Sequence, residues 1–384
     1  MSPISGVIWD LDGTVLDTES LIFQVAKEVV SRHGAELTES AAQAATGLRP
    51  LESWQVVADR MELTVPAAQL LAESEELLCD RWKEAKMLPG ALRLLRHLQA
   101  TGVPLALATS SNRANLTKKL SGHAHVHAAF QTTCCGDEVE RGKPAPDCFL
   151  AAAEKLGLPP ESCLAIEDSR PGVQAALAAG MHVVVVPSAV GESAAGCFKG
   201  LHCPRLHTLP SLLAFKPETF GLAPFGDIIG STIPVDPAWR IRGTVVKGFG
   251  RGSRELGIPT ANLDDASLKS SLAEAVTGIY AGFASIGSSP AVHKTCMSIG
   301  FNPVFKNKQK TCEPWILHDF EGDFYGEEIR LVVCAYIRPE ADFVSIEALV
   351  EQIHGDAAVT RAALDLEPFA SLNEDPFLLP GVLP

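Results

Sequence analysis

Two aspartates stand one residue apart where a short apolar run ends, in Val7-Ile8-Trp9-Asp10-Leu11-Asp12-Gly13-Thr14. If that run is a strand of an open α/β sheet, both carboxylates face the crevice beyond its carboxyl end, where ligands bind. Asp10 there suits a nucleophile attacking phosphorus, giving an aspartyl-phosphate. Asp12, beside the turn that Gly13 permits, suits the acid that protonates a leaving alkoxide and the base that later deprotonates water. Two adjacent carboxylates repel, which a Mg²⁺ would relieve. A turn carrying two solvated acids accounts for D-x-D-G about as well.

Three further stations tip that balance. The run Pro104–Ala108 ends in Thr109-Ser110, whose hydroxyls and backbone N–H groups suit phosphate oxygens. Lys143, in Gly142-Lys143-Pro144-Ala145-Pro146-Asp147, offers a fixed cation. The run Cys163–Ile166 ends in Glu167-Asp168, hard oxygen ligands for Mg²⁺. Each alone reads as a polar loop residue. All four in order, three of them at strand ends, point to phosphoryl chemistry.

A second group lies downstream. Lys247-Gly248-Phe249-Gly250-Arg251-Gly252-Ser253-Arg254 lets backbone N–H groups approach an anion closely. It lacks the G-x-x-x-x-G-K-[ST] of a P-loop and the helix that would follow a dinucleotide fingerprint. By itself it reads as a hairpin. Thr260 and Asn262 follow as possible metal or phosphate ligands, and Glu313 stands at the start of an expected strand, where it could take the proton of an attacking alcohol. A surface acid is the plainer reading of Glu313.

Between residues 4 and 187 apolar runs alternate with helical patterns. Ile4–Trp9, Pro104–Ala108, Cys163–Ile166 and His182–Val186 read as buried parallel strands, and Ala91–Ala100 and Gly172–Ala179 as helices. This predicts an α/β doubly wound domain over 1–222, with an inserted helical cap over about 17–88 that shows no strand. His202 to Gly226 reads as linker with one short helix at Leu209–Phe215, and 223–237 as the junction between domains. Over 238–384 the runs Arg240–Lys247, Gly278–Ile286, Thr295–Ile299, Cys312–Asp319 and Ile329–Ile337 predict a small antiparallel β-barrel or sandwich. Helices at Ser345–Ile353 and Ala357–Leu366 would pack on it.

The 384 residues carry a net charge of −14, and both halves are acidic, which argues against nucleic acid as a ligand. No apolar run is long enough to span a bilayer and no signal peptide is evident, so neither membrane nor export is expected. Ten cysteines without a C-x-x-C pair read as reduced thiols in a cytoplasmic setting. No obligatory protein partner is implied.

The strings D-L-D-G-T-V-L-D-T-E, L-A-T-S-S, K-P-A-P-D and E-D-S-R-P-G resemble the haloacid-dehalogenase superfamily of phosphatases, in its branch with a helical cap, over about residues 4–190. The resemblance implies that Asp10 is nucleophile, Asp12 acid/base, and Thr109, Ser110 and Lys143 phosphate-binding. Asp10, the Asp12 carbonyl and Asp168, with Glu167 close by, would hold Mg²⁺. Sugar-phosphate mutases share these motifs, so hydrolysis and isomerisation both remain open, as does a retired site that only regulates. The strings G-x-G-R-G-S-x-x-L-G-I-P-T-A-N, S-I-G-x-N-P and D-F-Y-G, with Glu313, resemble riboflavin kinase over about residues 238–370. That family folds as a small Greek-key β-barrel with a C-terminal helix. The resemblance implies ATP at Gly248, Gly250, Gly252 and Arg254, Mg²⁺ at Thr260 and Asn262, and Glu313 as base toward the ribityl 5′-hydroxyl. Trp315 departs from the His that many members carry there. The fusion is similar to the plant bifunctional riboflavin kinase/FMN hydrolases, which implies riboflavin, FMN and ATP as ligands.

Overall fold

The computed structural model describes residues 3–79, 81–187, 198, 200–201, 203–247, 258–264, 276–301, 310–341 and 343–381. They form two compact units, Met1–Pro224 and Phe225–Pro384.

The first unit is built on a six-stranded parallel sheet. Its order is Thr132–Cys134, Leu105–Ala108, Gly6–Trp9, Cys163–Glu167, His182–Val185 and Leu206–Thr208. The strand Gly6–Trp9 lies centrally, between partners that come much later in sequence, so its carboxyl end opens on the crevice where the winding reverses. Near-continuous burial of Gly6–Trp9, Leu105–Ala108 and Cys163–Glu167 follows from cover on both faces. The helix Ala91–Ala100 buries Ala91, Leu94, Leu95 and Leu98, one stripe at the spacing expected of an amphipathic helix.

Four helices, Glu19–Arg32, Glu39–Ala45, Pro50–Arg60 and Ala67–Leu78, form the cap around a core that includes Val29, Trp54, Leu70 and Trp82. Its neck is not free of strand. Leu16–Asp17 pairs antiparallel with Lys86–Met87, clasping the two chain crossings. The segment expected as linker instead completes the first unit. Leu206–Thr208 is its edge strand, and Leu212, Phe215, Phe220 and Leu222 are buried beyond it, with Phe215 and Phe220 stacked at 5.3 Å. In place of one helix at Leu209–Phe215 the chain makes 3-10 turns at Leu212–Ala214 and Pro217–Phe220, because prolines interrupt longer winding.

In the second unit a six-stranded antiparallel sheet runs in the order Asn262–Leu263, Ile233–Val246, Glu328–Arg338, Gly278–Ile286, His293–Phe301 and Lys310–Ile316. The last strand in sequence returns to lie between the first and third, a Greek-key arrangement. The amide of Ala261 donates to the Pro314 carbonyl (2.9 Å), drawing the two sheet edges together into a nearly closed barrel. The first strand begins at Ile233, earlier than Arg240. Pro234 reads as a breaker, yet a register shift between Val333 and Ala335 accommodates that stretch. The two expected C-terminal helices are one, Ile346–Ala363, capped by Ser345 accepting from the Ala348 amide. Gly355 costs a helix about 1 kcal/mol. The ion pair of Asp356 with Arg338 (2.7 Å) ties that turn to the barrel and carries the helix through.

Among the described residues no helix is long and apolar enough to cross a membrane, and every cysteine is unpaired.

Candidate active sites

The carboxyl end of Gly6–Trp9 delivers Asp10, whose amide donates to the Ile166 carbonyl of the neighbouring strand (2.9 Å). Lys143 Nζ reaches the Asp10 carboxylate at 2.5 Å and Glu167 Oε1 at 2.6 Å. All three side chains are buried. Burial pushes the Asp10 carboxyl up to about 8 against the pull of Lys143, with Glu167 and Asp12 adding to the rise. Burial disfavours the Lys143 ammonium, but Asp10 and Glu167 outweigh it and hold that cation charged.

Glu167 and Asp168 divide their work. Glu167 Oε2 accepts from the amides of Asp168 and Ser169 and from the Ser169 hydroxyl, each at 2.9 Å. With its other oxygen on Lys143, Glu167 fixes both the lysine and the turn. Gly172 lets it sit there, since a Cβ at that position would lie 1.7 Å from Glu167 Oε1. Asp168 Oδ2, by contrast, is buried with no hydrogen-bond partner. Burial, then Glu167, Glu19 and Asp10, carry the Asp168 carboxyl well above the usual range. A buried, unsatisfied carboxylate oxygen facing other acids is costly by itself, and a divalent cation bound there would remove the cost. Gly13, at φ +81°, brings the backbone next to Asp12 against this oxygen, where a Cβ would come within 2.1 Å.

Asp12 is held by four donors. Thr18 Oγ1 and Lys119 Nζ reach Oδ1, each at 2.6 Å; Ser111 Oγ (2.9 Å) and Thr109 Oγ1 (3.3 Å) reach Oδ2. Burial works the other way, but Lys119 and the Thr18 and Ser111 hydroxyls hold the Asp12 carboxyl below its ordinary value. The sequence alone assigns no role to Lys119 or Ser111. Nothing in Arg113–Leu120 marks Lys119 apart from Lys118, and only the helix's orientation buries one and exposes the other. Ser110, expected at phosphate, turns its hydroxyl to the Gly47 carbonyl of the cap (3.2 Å). Arg49, also from the cap, donates to the carbonyls of Gly136 (2.9 Å), Val139 (2.8 Å) and Glu140 (3.3 Å). The first site therefore unites Asp10, Asp12, Thr109, Lys143, Glu167 and Asp168, under a cap already docked on the core.

In the barrel, Glu313 pairs in register with Ser298 and is half-buried. Burial raises its carboxyl above the ordinary range, which strengthens it as a base. The bond from Ala261 to Pro314 sets Thr260-Ala261-Asn262 against the strand segment that carries Glu313. Asn262 pairs with Val246, which precedes the glycine-rich segment in the sequence. Gly248, Gly250, Gly252 and Arg254 themselves lie outside the described residues, as do Asn302 and Pro303. Trp315 meets His354 of the C-terminal helix edge to face, ring centroids 5.6 Å apart.

Comparison with known proteins follows the same division. Residues 7–186 match the haloacid dehalogenase-like hydrolase family and residues 236–364 the riboflavin kinase family. The riboflavin kinase of Homo sapiens is 46% identical over 136 residues, 35% of this chain and 87% of that protein. A probable pseudouridine-5′-phosphatase of Drosophila melanogaster is 37% identical over 233 residues, 58% of this chain and 96% of that protein. The bifunctional riboflavin kinase/FMN phosphatase of Arabidopsis thaliana is 43% identical over 374 residues, 97% of each chain. With both halves matched in one relative and in the same order, the chain belongs to the bifunctional riboflavin kinase/FMN phosphatase family.

Proposed function

We propose that the two units catalyse opposed reactions of one vitamin. The barrel transfers the γ-phosphoryl of ATP to riboflavin to give FMN, and the capped unit hydrolyses FMN to riboflavin and phosphate. The observation that carries the second half is the buried Asp10–Lys143 pair beside the unpartnered Asp168 oxygen. Other relatives of this half act on different phosphate esters, so FMN as substrate rests on the whole-chain likeness.

In hydrolysis, Asp10 attacks phosphorus and the ester oxygen leaves; Asp12, which Lys119 and its hydroxyl partners keep ionised at rest, takes up a proton before passing one to that oxygen. Asp12 then takes a proton from water, which attacks the aspartyl-phosphate and regenerates Asp10. Lys143 and Thr109 hold the phosphoryl oxygens. Asp10, Asp168 and the Asp12 carbonyl would hold Mg²⁺, which when bound screens the phosphoryl charge from the nucleophile. In synthesis, Glu313 takes the proton of the ribityl 5′-hydroxyl as it attacks the γ-phosphorus. Thr260 and Asn262 would hold the magnesium of ATP, and Gly248, Gly250, Gly252 and Arg254 its phosphates.

Both reactions are measured on the full chain, as phosphate release from FMN and as FMN formation from riboflavin and ATP. Activity in both directions is expected; a chain that makes FMN but releases no phosphate from it would overturn the hydrolase half. A titration follows too. Metal ligands must be deprotonated, and without metal the Asp10 carboxyl lies near 8, so protonation competes with Mg²⁺ below that pH. Mg²⁺ affinity of the phosphatase site is expected to rise with pH up to about 8, by as much as about tenfold per unit for each proton released. Calorimetry in two buffers of different ionisation enthalpy reads the proton release directly, and an affinity flat from pH 6 to 8 would contradict it.

A further inference from the structure

From the aspartates a cavity of about 160 Å³ runs into the interior of the four-helix cap. Its two ends differ in chemistry. At the mouth lie Asp10, Asp12, Asp168 and Lys119. Lys119 marks the change, because its ammonium bonds to Asp12 on one side and lies 4.3 Å from the centroid of the Trp82 ring on the other. Beyond it the walls are Phe23, Ala42, Trp54, Val57 and Leu71.

The few hydroxyls on those inner walls are already committed. Thr46 Oγ1 donates to the Ala42 carbonyl (3.2 Å), Ser53 Oγ to Ala45 (2.7 Å) and Ser74 Oγ to Leu71 (2.7 Å). Ser74 Oγ also accepts from Trp54 Nε1 (3.0 Å), which fixes the indole. Glu19, Glu75 and Asn115 also line the cavity, but hydroxyls of a glycerol or sugar leaving group set against Phe23, Ala42, Trp54, Val57 and Leu71 would be buried without partners, at a cost in binding. An apolar ring carries no such cost, and an apolar-walled space of this order holds one benzene-sized ring.

Building on the FMN-hydrolase reading, we infer that the cap cavity is the specificity pocket for the flavin ring, and that the dimethylbenzene end enters it. Trp54 and Ala42 are then specificity-determining residues. The ribityl chain spans the mouth past Lys119, and the phosphate stays at Asp10. The cavity selects the apolar end of the leaving group, which is the part that distinguishes FMN from a simple polyol phosphate.

Ribitol 5-phosphate carries the same reacting end without the ring, so the test is the ratio of kcat/KM for FMN to that for ribitol 5-phosphate. The wild-type chain is expected to favour FMN. Trp54→Ala, which removes the wall, and Ala42→Leu, which fills the space, are each expected to lower the ratio at least about tenfold, chiefly through KM for FMN. The two variants perturb packing in opposite senses, so a shared fall in the ratio reports ring binding and not loss of the cap fold. Ratios within twofold of wild type in both variants would overturn the inference, as would parallel losses on both substrates. A wild-type chain that cleaves ribitol 5-phosphate but not FMN is a different result, and it would remove the FMN-hydrolase reading itself.

Discussion

Asp10→Asn is expected to lower FMN hydrolysis by more than about 10³-fold while FMN synthesis proceeds unchanged. The amide keeps the size of the carboxylate and leaves Lys143 paired with Glu167 at 2.6 Å, so the crevice keeps its shape. What it loses is the oxygen nucleophile. The neighbouring acids Asp12 and Glu167 are committed to other partners. Asp12 is tied to Lys119 and three hydroxyls, and Glu167 has both oxygens engaged. Phosphate release under saturating FMN reads the loss, and riboflavin phosphorylation on the same preparation is the control. A variant that kept more than a tenth of the hydrolysis rate would remove Asp10 from its role.

Glu313→Gln is expected to do the reverse, lowering riboflavin phosphorylation by about 10²–10⁴-fold and sparing hydrolysis. Burial has raised the basicity of Glu313, and the amide offers neither a charge nor a proton acceptor of comparable strength. The loss should fall on kcat, since removing a base leaves the binding of riboflavin and ATP largely as it was. Steady-state kinetics with FMN detected by chromatography separates the two parameters. A rise in KM alone would make Glu313 a binding group. If either substitution silenced both reactions, two independent sites would be the wrong description of this chain.

How far the sequence reaches depends on how local each feature is. The strand-end carboxylates are legible because strand, turn and ligand-facing position are set within a few residues, as at Gly6–Trp9 with Asp10. The helix Ala91–Ala100 is legible for the same reason, with its stripe, its preceding Gly90 and its following Gly102 all in one window. Lys119 is not, because it meets Asp12 across 107 residues and no short pattern encodes that meeting. Glu167 and Asp168 are adjacent acids with identical prospects in sequence. The turn capped by Ser169 sends one into protein donors and leaves the other an unsatisfied oxygen. The edge strand Leu206–Thr208 is short and half-exposed, so it owes its existence to His182–Val185 beside it more than to its own residues. The strand Ile233–Val246 passes through Pro234, which local propensity forbids and the neighbouring ladder tolerates.

Arg49 bears on how this cap responds to its surroundings. It reaches from cap to core, yet its partners are the carbonyl oxygens of Gly136, Val139 and Glu140, not carboxylates. Attraction between a charge and neutral dipoles decays over a few ångströms, well inside the distance at which dissolved ions screen. The hold that Arg49 has on the core is therefore largely indifferent to ionic strength.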